Sequence, residues 1–202
     1  MKKKIFTTKF IVEVGILTAI EVVLYIIGQF IQFGPGISIN LALIPIAIGA
    51  ILFGPFCGLF LGAVNGVAVI LTPGTQAFFM NVDLFGPWCI FGTILICMIK
   101  CSAAGFVAGI LYRLLKKHND IAACIAAALV VPVINTGFFV IGACIFFTSQ
   151  LEALLATVFS FNFLIEIGVT ALLTPAIIRV IHIVQSKESD EKIISGESNE
   201  EK

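Results

Sequence analysis

The sequence predicts an all-α integral membrane protein, a bundle of six transmembrane helices with both termini on the cytoplasmic side. Three observations carry that prediction. Hydrophobic residues make up 59% of the 202 positions and charged ones only 12%, whereas a soluble surface needs about a quarter charged residues. The apolar residues gather into six runs separated by turn signals, and a spanning helix needs about 20 predominantly apolar residues. Lys and Arg cluster at Lys2, Lys3, Lys4 and Lys9, at Arg113, Lys116 and Lys117, and at Arg179, Lys187, Lys192 and Lys202, with Lys100 alone inside an apolar run. Positive residues beside membrane helices mark the cytoplasmic face. Six crossings put every cluster on that face and leave the outer connections without Lys or Arg.

The expected organisation is a basic cytoplasmic N-terminus over residues 1–8, a membrane domain over 9–184 and a disordered polar tail over 185–202. The tail KESDEKIISGESNEEK is charged and poor in apolar residues. This length suits one membrane domain and leaves no room for a separate ATPase or enzyme domain. Net charge is zero, so the total points to no class of partner, and nucleic acid is not expected. Bilayer lipids are.

The first segment, roughly Lys9–Ile31, follows MKKK and could be mistaken for a signal peptide. It holds Glu13 and Glu21 and lacks a small-x-small cleavage site, so it reads as a retained helix. Glu13, one turn after Lys9, pairs locally or reaches the headgroups, whereas Glu21 lies deeper. Gly15 and Ala19 form a small-xxx-small pair that admits a neighbouring helix closely. The outer stretch Gln32–Ser38 is a turn built on Gly34-Pro35-Gly36.

Residues 40–73 carry no charge and break at Gly54-Pro55. Proline donates no backbone hydrogen bond and biases the preceding residue away from the helical region. The break predicts two short helices, 40–53 and 55–72. Asn65 sits in the second among Gly62, Ala63, Gly66 and Ala68. The long outer connection Thr72–Pro87 has one charge, Asp83, and reads as a lid or as an amphipathic segment on the outer leaflet.

The fourth segment, about Trp88–Arg113, places Trp88 at the outer interface and contains Lys100 and the Gly105-xxx-Gly109 spacing. The fifth, about Ile121–Phe147, holds Pro132 and Asn135. The sixth, about Glu152–His182, holds Asn162, Glu166 and Pro175. The six cysteines form no CxxC pair and read as buried thiols acting as small apolar side chains. His118 and His182 fall near helix ends, so neither a metal nor a cofactor is expected.

At about 1.5 Å of rise per residue, Lys100 and Asn135 lie about 18 Å below the outer helix ends. Asn162 and Glu21 come out near 15 Å and Glu166 near 21 Å, all close to the middle of a core about 30 Å thick. A lone Lys there costs about 2.5 kcal/mol or more. Such residues face a protein interior or a water-filled cavity. The candidate substrate-binding residues are therefore Lys100, Asn135, Asn162 and Glu166, joined by Asn65 and Asp83, with Lys100 holding an anionic group. The alternative is a Lys100–Glu166 or Lys100–Glu21 ion pair that only locks the bundle.

Taken together, the six-helix layout, the N-terminal lysines, the Gly15/Ala19 pair, the hairpin LIPIAIGAILFGPFCGLFLGAVNG, the long outer connection, and NTGFFVIG with NFLIE resemble the substrate-binding S component of an energy-coupling factor (ECF) vitamin transporter. The resemblance covers residues 9–184. It implies an importer subunit that captures a vitamin outside and releases it inside, with a transmembrane coupling (T) subunit and two cytoplasmic ABC ATPases as partners. It also implies that Gly15 and Ala19 dock the coupling subunit, although Gly15 stands where the family usually has alanine. The hairpin's phrasing is similar to pantothenate-type members. No GxxxxGK[ST] loop or catalytic motif occurs, so no enzyme activity is expected and ATP hydrolysis falls to partners. The competing function is a standalone carrier or ion-coupled permease for a small anionic solute.

Overall fold

The structure, a computed structural model, describes residues 8–34, 37–80, 88–148, 152 and 161–194. Helix α1 spans Thr8–Phe30, and a two-stranded antiparallel hairpin follows, β1 (Gln32–Gly34) with β2 (Ile37–Ser38). Helices α2 (Leu43–Leu52), α3 (Pro55–Ile70) and α4 (Pro73–Met80) come next. The chain then forms α5 (Cys89–Leu115), α6 (Asp120–Phe146) and α7 (Phe161–Ile194). The all-α prediction holds apart from the short hairpin around Gly34. By length and composition α1, α5 and α6 are each able to cross a membrane, while α2 and α3 are shorter apolar helices.

The centre of the molecule is α2. Its sequence LIPIAIGAIL has no polar face, and every residue from Leu43 to Ile51 is buried. A helix that is apolar all round belongs inside, and α2 packs against α1, α3, α5, α6 and α7. Its 10 residues reach only about 15 Å, too short to span a bilayer core of about 30 Å, and its neighbours cover it instead.

Gly54 ends this element. Its φ of 100° is a region that side-chain-bearing residues rarely adopt, and Pro55 opens α3 at its first turn. The Arg113 guanidinium, from the end of α5, lies where a side chain on Gly54 would stand. The predicted break is therefore real and is capped by a cation.

Helices α3 and α5 have the most extensive contact in the fold, and glycine is the reason. Gly58, Gly62 and Gly66 recur every fourth residue of α3, so they share one face. A Cβ on Gly58 would strike the Gly105 carbonyl, one on Gly62 the Cys101 carbonyl, and one on Gly66 would crowd the Cys97 carbonyl at 2.9 Å. On α5, Gly105 meets the Gly58 carbonyl in return, and Gly109 lies against Pro55. Backbones approach this closely only where side chains are missing.

Helix α6 is fixed at its start by Asn119, whose side chain accepts from the Ala122 N–H at 3.1 Å. Tyr112 of α5 donates to the Asp120 carboxylate at 2.7 Å and ties the two helices together there. Pro132 lies inside α6 without ending it, as membrane helices tolerate when neighbours re-satisfy the backbone.

Two expectations change. Thr72–Pro87 is not wholly a loop, because residues 73–80 are helix α4. Thr72 links α3 to α4, its hydroxyl bonding to the Val69 carbonyl at 2.7 Å and to the Thr75 hydroxyl at 3.2 Å. The tail expected to be disordered from residue 185 is helical as far as Ile194. The sequence offers a reason, since Glu188 and Lys192 stand four residues apart in the favourable order. Residues 195–202 lie outside the described residues.

Candidate functional site

Lys100 opens into a cavity of about 170 Å³ near the Trp88 end of the bundle. Four helices meet there: Val69 of α3, Thr75 of α4, Thr93 and Lys100 of α5, Phe139 of α6 and, just past it, Phe147. The lysine is half-buried, and its Nζ lies 5.5 Å from the centre of the Phe139 ring, within the range at which a ring face attracts a cation. Glu166 and Tyr25 are near enough for their electrostatic fields to act on it. Lys100 thus stands at a cavity wall beside an aromatic face.

The polar residues named from the sequence divide into separate groups. Asn65 donates through Nδ2 to Cys101 Sγ at 3.5 Å, and the Cys101 thiol donates to Asn135 Oδ1 at 3.5 Å. This bridge joins α3, α5 and α6 in the buried interior, and neither asparagine is among the cavity-lining residues. Cys101 therefore does more than fill apolar space. Glu166 is buried on α7, and its carboxylate accepts the Asn40 backbone N–H at 3.1 Å, holding the approach to α2. Asn162 is in α7 but its side chain is not described, and Asp83 lies outside the described residues.

Glu13 pairs with Lys9 at 3.9 Å, as the sequence suggested. Glu21 does not pair with Lys100. It is 1% exposed and lies beside the Asn65 backbone of α3, and among the described residues no group meets full hydrogen-bond geometry with either carboxylate oxygen. Gly15 and Ala19 are exposed on the outer face of α1, with nothing within 4 Å of where a Gly15 side chain would begin. Five of the six cysteines are buried and Cys144 is exposed, all with free thiols.

Sequence reasoning missed Thr93, Phe139 and Thr75. A signal for Thr93 was present: Thr93, Cys97 and Lys100 are spaced i, i+4, i+7, which places them on one helical face. Phe139 follows Asn135 by one turn of α6. Thr75 had no such signal, because the segment that forms α4 was only partly legible.

No curated protein and no solved structure matches the chain. A family of ECF transporters, the substrate-specific component, matches residues 9–178, a range that takes in α5, α6, α1 from Lys9 on, and the Lys100 cavity. The match covers most of the chain, and the chain belongs to the substrate-specific components of ECF transporters.

Proposed function

We propose that this chain is a six-span S subunit with both termini and the Arg113–Lys117 connection cytoplasmic. It captures a vitamin-like anion from outside and releases it inside when a T subunit and two ABC ATPases drive it. Residues 9–184 form the membrane domain, with 1–8 and 185–202 on the cytoplasmic side. The cavity then opens toward the outer face, because Val69, Thr93 and Phe147 all lie near the helix ends opposite the basic clusters.

The observation that carries the reading is the Lys100 ammonium set over the Phe139 ring at a cavity wall. That geometry provides a cation and an apolar face in one place, which suits an organic carboxylate. Pantothenate, a carboxylate with an amide and a compact alkyl group, is the substrate proposed from the sequence. Asn65, Asn135 and Glu166 support the site by fixing α3, α5, α6 and α7 around it, while Asn162 and Asp83 are proposed ligand contacts from the outer half.

The test is to identify by mass spectrometry whatever co-purifies with the protein, then titrate a vitamin panel against wild type and Lys100→Met. Affinity for the carboxylate ligand is expected to fall at least tenfold in the variant. Unchanged affinity in a folded variant would remove Lys100 from the site. Uptake into vesicles by the chain alone, without ATPases, would instead favour a standalone carrier.

A further inference from the structure

Two opposite charges line a second cavity without pairing. Asp120 of α6 and Arg179 of α7 border a recess of about 320 Å³ at the end of the bundle away from the Lys100 cavity. Among the described residues they form no ion pair with each other. The Asp120 carboxylate is held in place, since its Oδ1 accepts from the Tyr112 hydroxyl at 2.7 Å. Its second oxygen is left for another donor. Charges that share a recess without touching leave room for a ligand that carries both signs.

The walls describe the rest of that ligand. The recess exists because the side chains facing it from the two helices include the short Cys124, Pro175 and Ala176. Cys124 and Ile178 are buried and form its floor, while Asp120, Ile121, Ala176 and Arg179 are exposed around it. Exposed apolar residues then continue from the rim. Ile125 stands one turn beyond Ile121 on α6, and Leu172 one turn before Ala176 on α7, and residues four apart share a helix face. Helix α6 starts at this end and α7 passes out through it, so both positions lie deeper in the bilayer than the charges. Charges at the helix ends above an apolar track match the anatomy of a phospholipid. Arg113, Lys116 and Lys117 stand at the same end, which in the topology proposed above is the cytoplasmic leaflet.

The headgroup follows from the two side chains. A guanidinium offers a planar fork that suits phosphate oxygens. The free carboxylate oxygen calls for a cationic donor, and a primary ammonium has three N–H groups to give. A quaternary ammonium has none and is recognised by aromatic rings instead, yet none of the described residues lining the recess is aromatic. An anionic headgroup would set a second negative charge against Asp120. The volume is about twice the roughly 150 Å³ that holds a benzene ring, enough for a headgroup and the start of the chains. We propose that this recess binds an ethanolamine phospholipid, with the phosphate on Arg179, the ammonium on Asp120 and the acyl chains along Ile125 and Leu172. The site shares no residue with the Lys100 cavity and does not depend on it.

The experiment titrates the full chain in detergent by native mass spectrometry. The probes are phosphatidylethanolamine, its N-methyl and N,N-dimethyl forms, phosphatidylcholine, phosphatidylglycerol and chain-free glycerophosphoethanolamine. Phosphatidylethanolamine is expected to bind at least fivefold more tightly than phosphatidylcholine or phosphatidylglycerol, with affinity falling at each methylation. Asp120→Asn, which keeps an oxygen for the Tyr112 hydroxyl, is expected to bring phosphatidylethanolamine within twofold of phosphatidylcholine. Arg179→Gln should weaken both at least fivefold, and Lys117→Gln, a cation outside the recess, should leave both within twofold. Unfolding temperature is the control for folding, and the methylation series decides on wild type alone if a variant does not fold. Equal affinity across that series would mean that Arg179 only reaches bulk headgroups, and it overturns the proposal. Tightest binding of phosphatidylglycerol overturns it as well, as does glycerophosphoethanolamine binding as tightly as the whole lipid, which would make the ligand a soluble zwitterion.

Discussion

Among the described residues, Glu21 is a buried carboxyl whose chemistry is poorly satisfied. It is 1% exposed, and no described group meets full hydrogen-bond geometry with either carboxylate oxygen, an arrangement that costs about 1–3 kcal/mol for a polar group and more for a charged one. Methionine has a similar length and no oxygens, so Glu21→Met is expected to stabilise the protein by about 1–3 kcal/mol, read as a higher unfolding midpoint in detergent. A lower midpoint would mean that the carboxyl has a partner in solution. The two midplane ionisable groups thus had different legibility. Lys100 was readable because a lone ammonium in lipid demands a cavity, and the cavity is there. The fate of Glu21 was not, because an ion pair and an orphaned carboxyl look the same in a one-dimensional string. The asparagines show the same limit: depth pointed Asn135 inward and small neighbours pointed Asn65 to close packing, but neither signal could tell that a thiol, Cys101, would join them.

Among the elements, the tightest constraint is the glycine face between α3 and α5. Gly58→Ala would push a methyl into the Gly105 carbonyl, a backbone atom that cannot turn aside. Overpacking of this kind costs about 1–3 kcal/mol, so a clear fall in unfolding temperature is expected. Gly137→Ala is the matched control: it is exposed in α6 with nothing within 4 Å of the added carbon. Helix propensity then favours alanine by about 0.5–1 kcal/mol, and the variant should unfold at an equal or higher temperature. If both substitutions act alike, the close approach of α3 and α5 does not exist in solution. The hairpin of α2 and α3 was legible because Gly54-Pro55 is a strong local punctuation mark. Helix α4 was only partly legible: an amphipathic segment was one of two readings, and PGTQAFFM mixes turn formers with apolar residues. The helical run past residue 185 was hidden for a related reason: high charge suggested disorder, while the spacing of Glu188 and Lys192 equally permits a helix continuing from an ordered one.

At the scale of the whole molecule, α1 stands apart from α5 and α6, the other helices long and apolar enough to cross a membrane among the described residues. It packs on α2, α3 and β2, and its opposite side exposes Ile11, Val12, Ile16, Ile20 and Val23 around Gly15 and Ala19. The buried side of the same helix carries Glu21 and Tyr25. A helix so divided can hold the binding half of the protein with one face and offer the other to a partner. Small residues at Gly15 and Ala19 let a second helix come close in lipid, and no described residue lies within 4 Å of where a Gly15 side chain would begin. The double variant Gly15→Leu/Ala19→Leu is therefore expected to lose co-purification with the T subunit and ATPases, with at least tenfold less complex recovered. Ligand affinity should stay within twofold of wild type, because neither residue touches the Lys100 cavity. The separation of the two readouts is the informative part. Loss of both would mean that α1 is structural throughout, and retention of both would mean that this face meets only lipid.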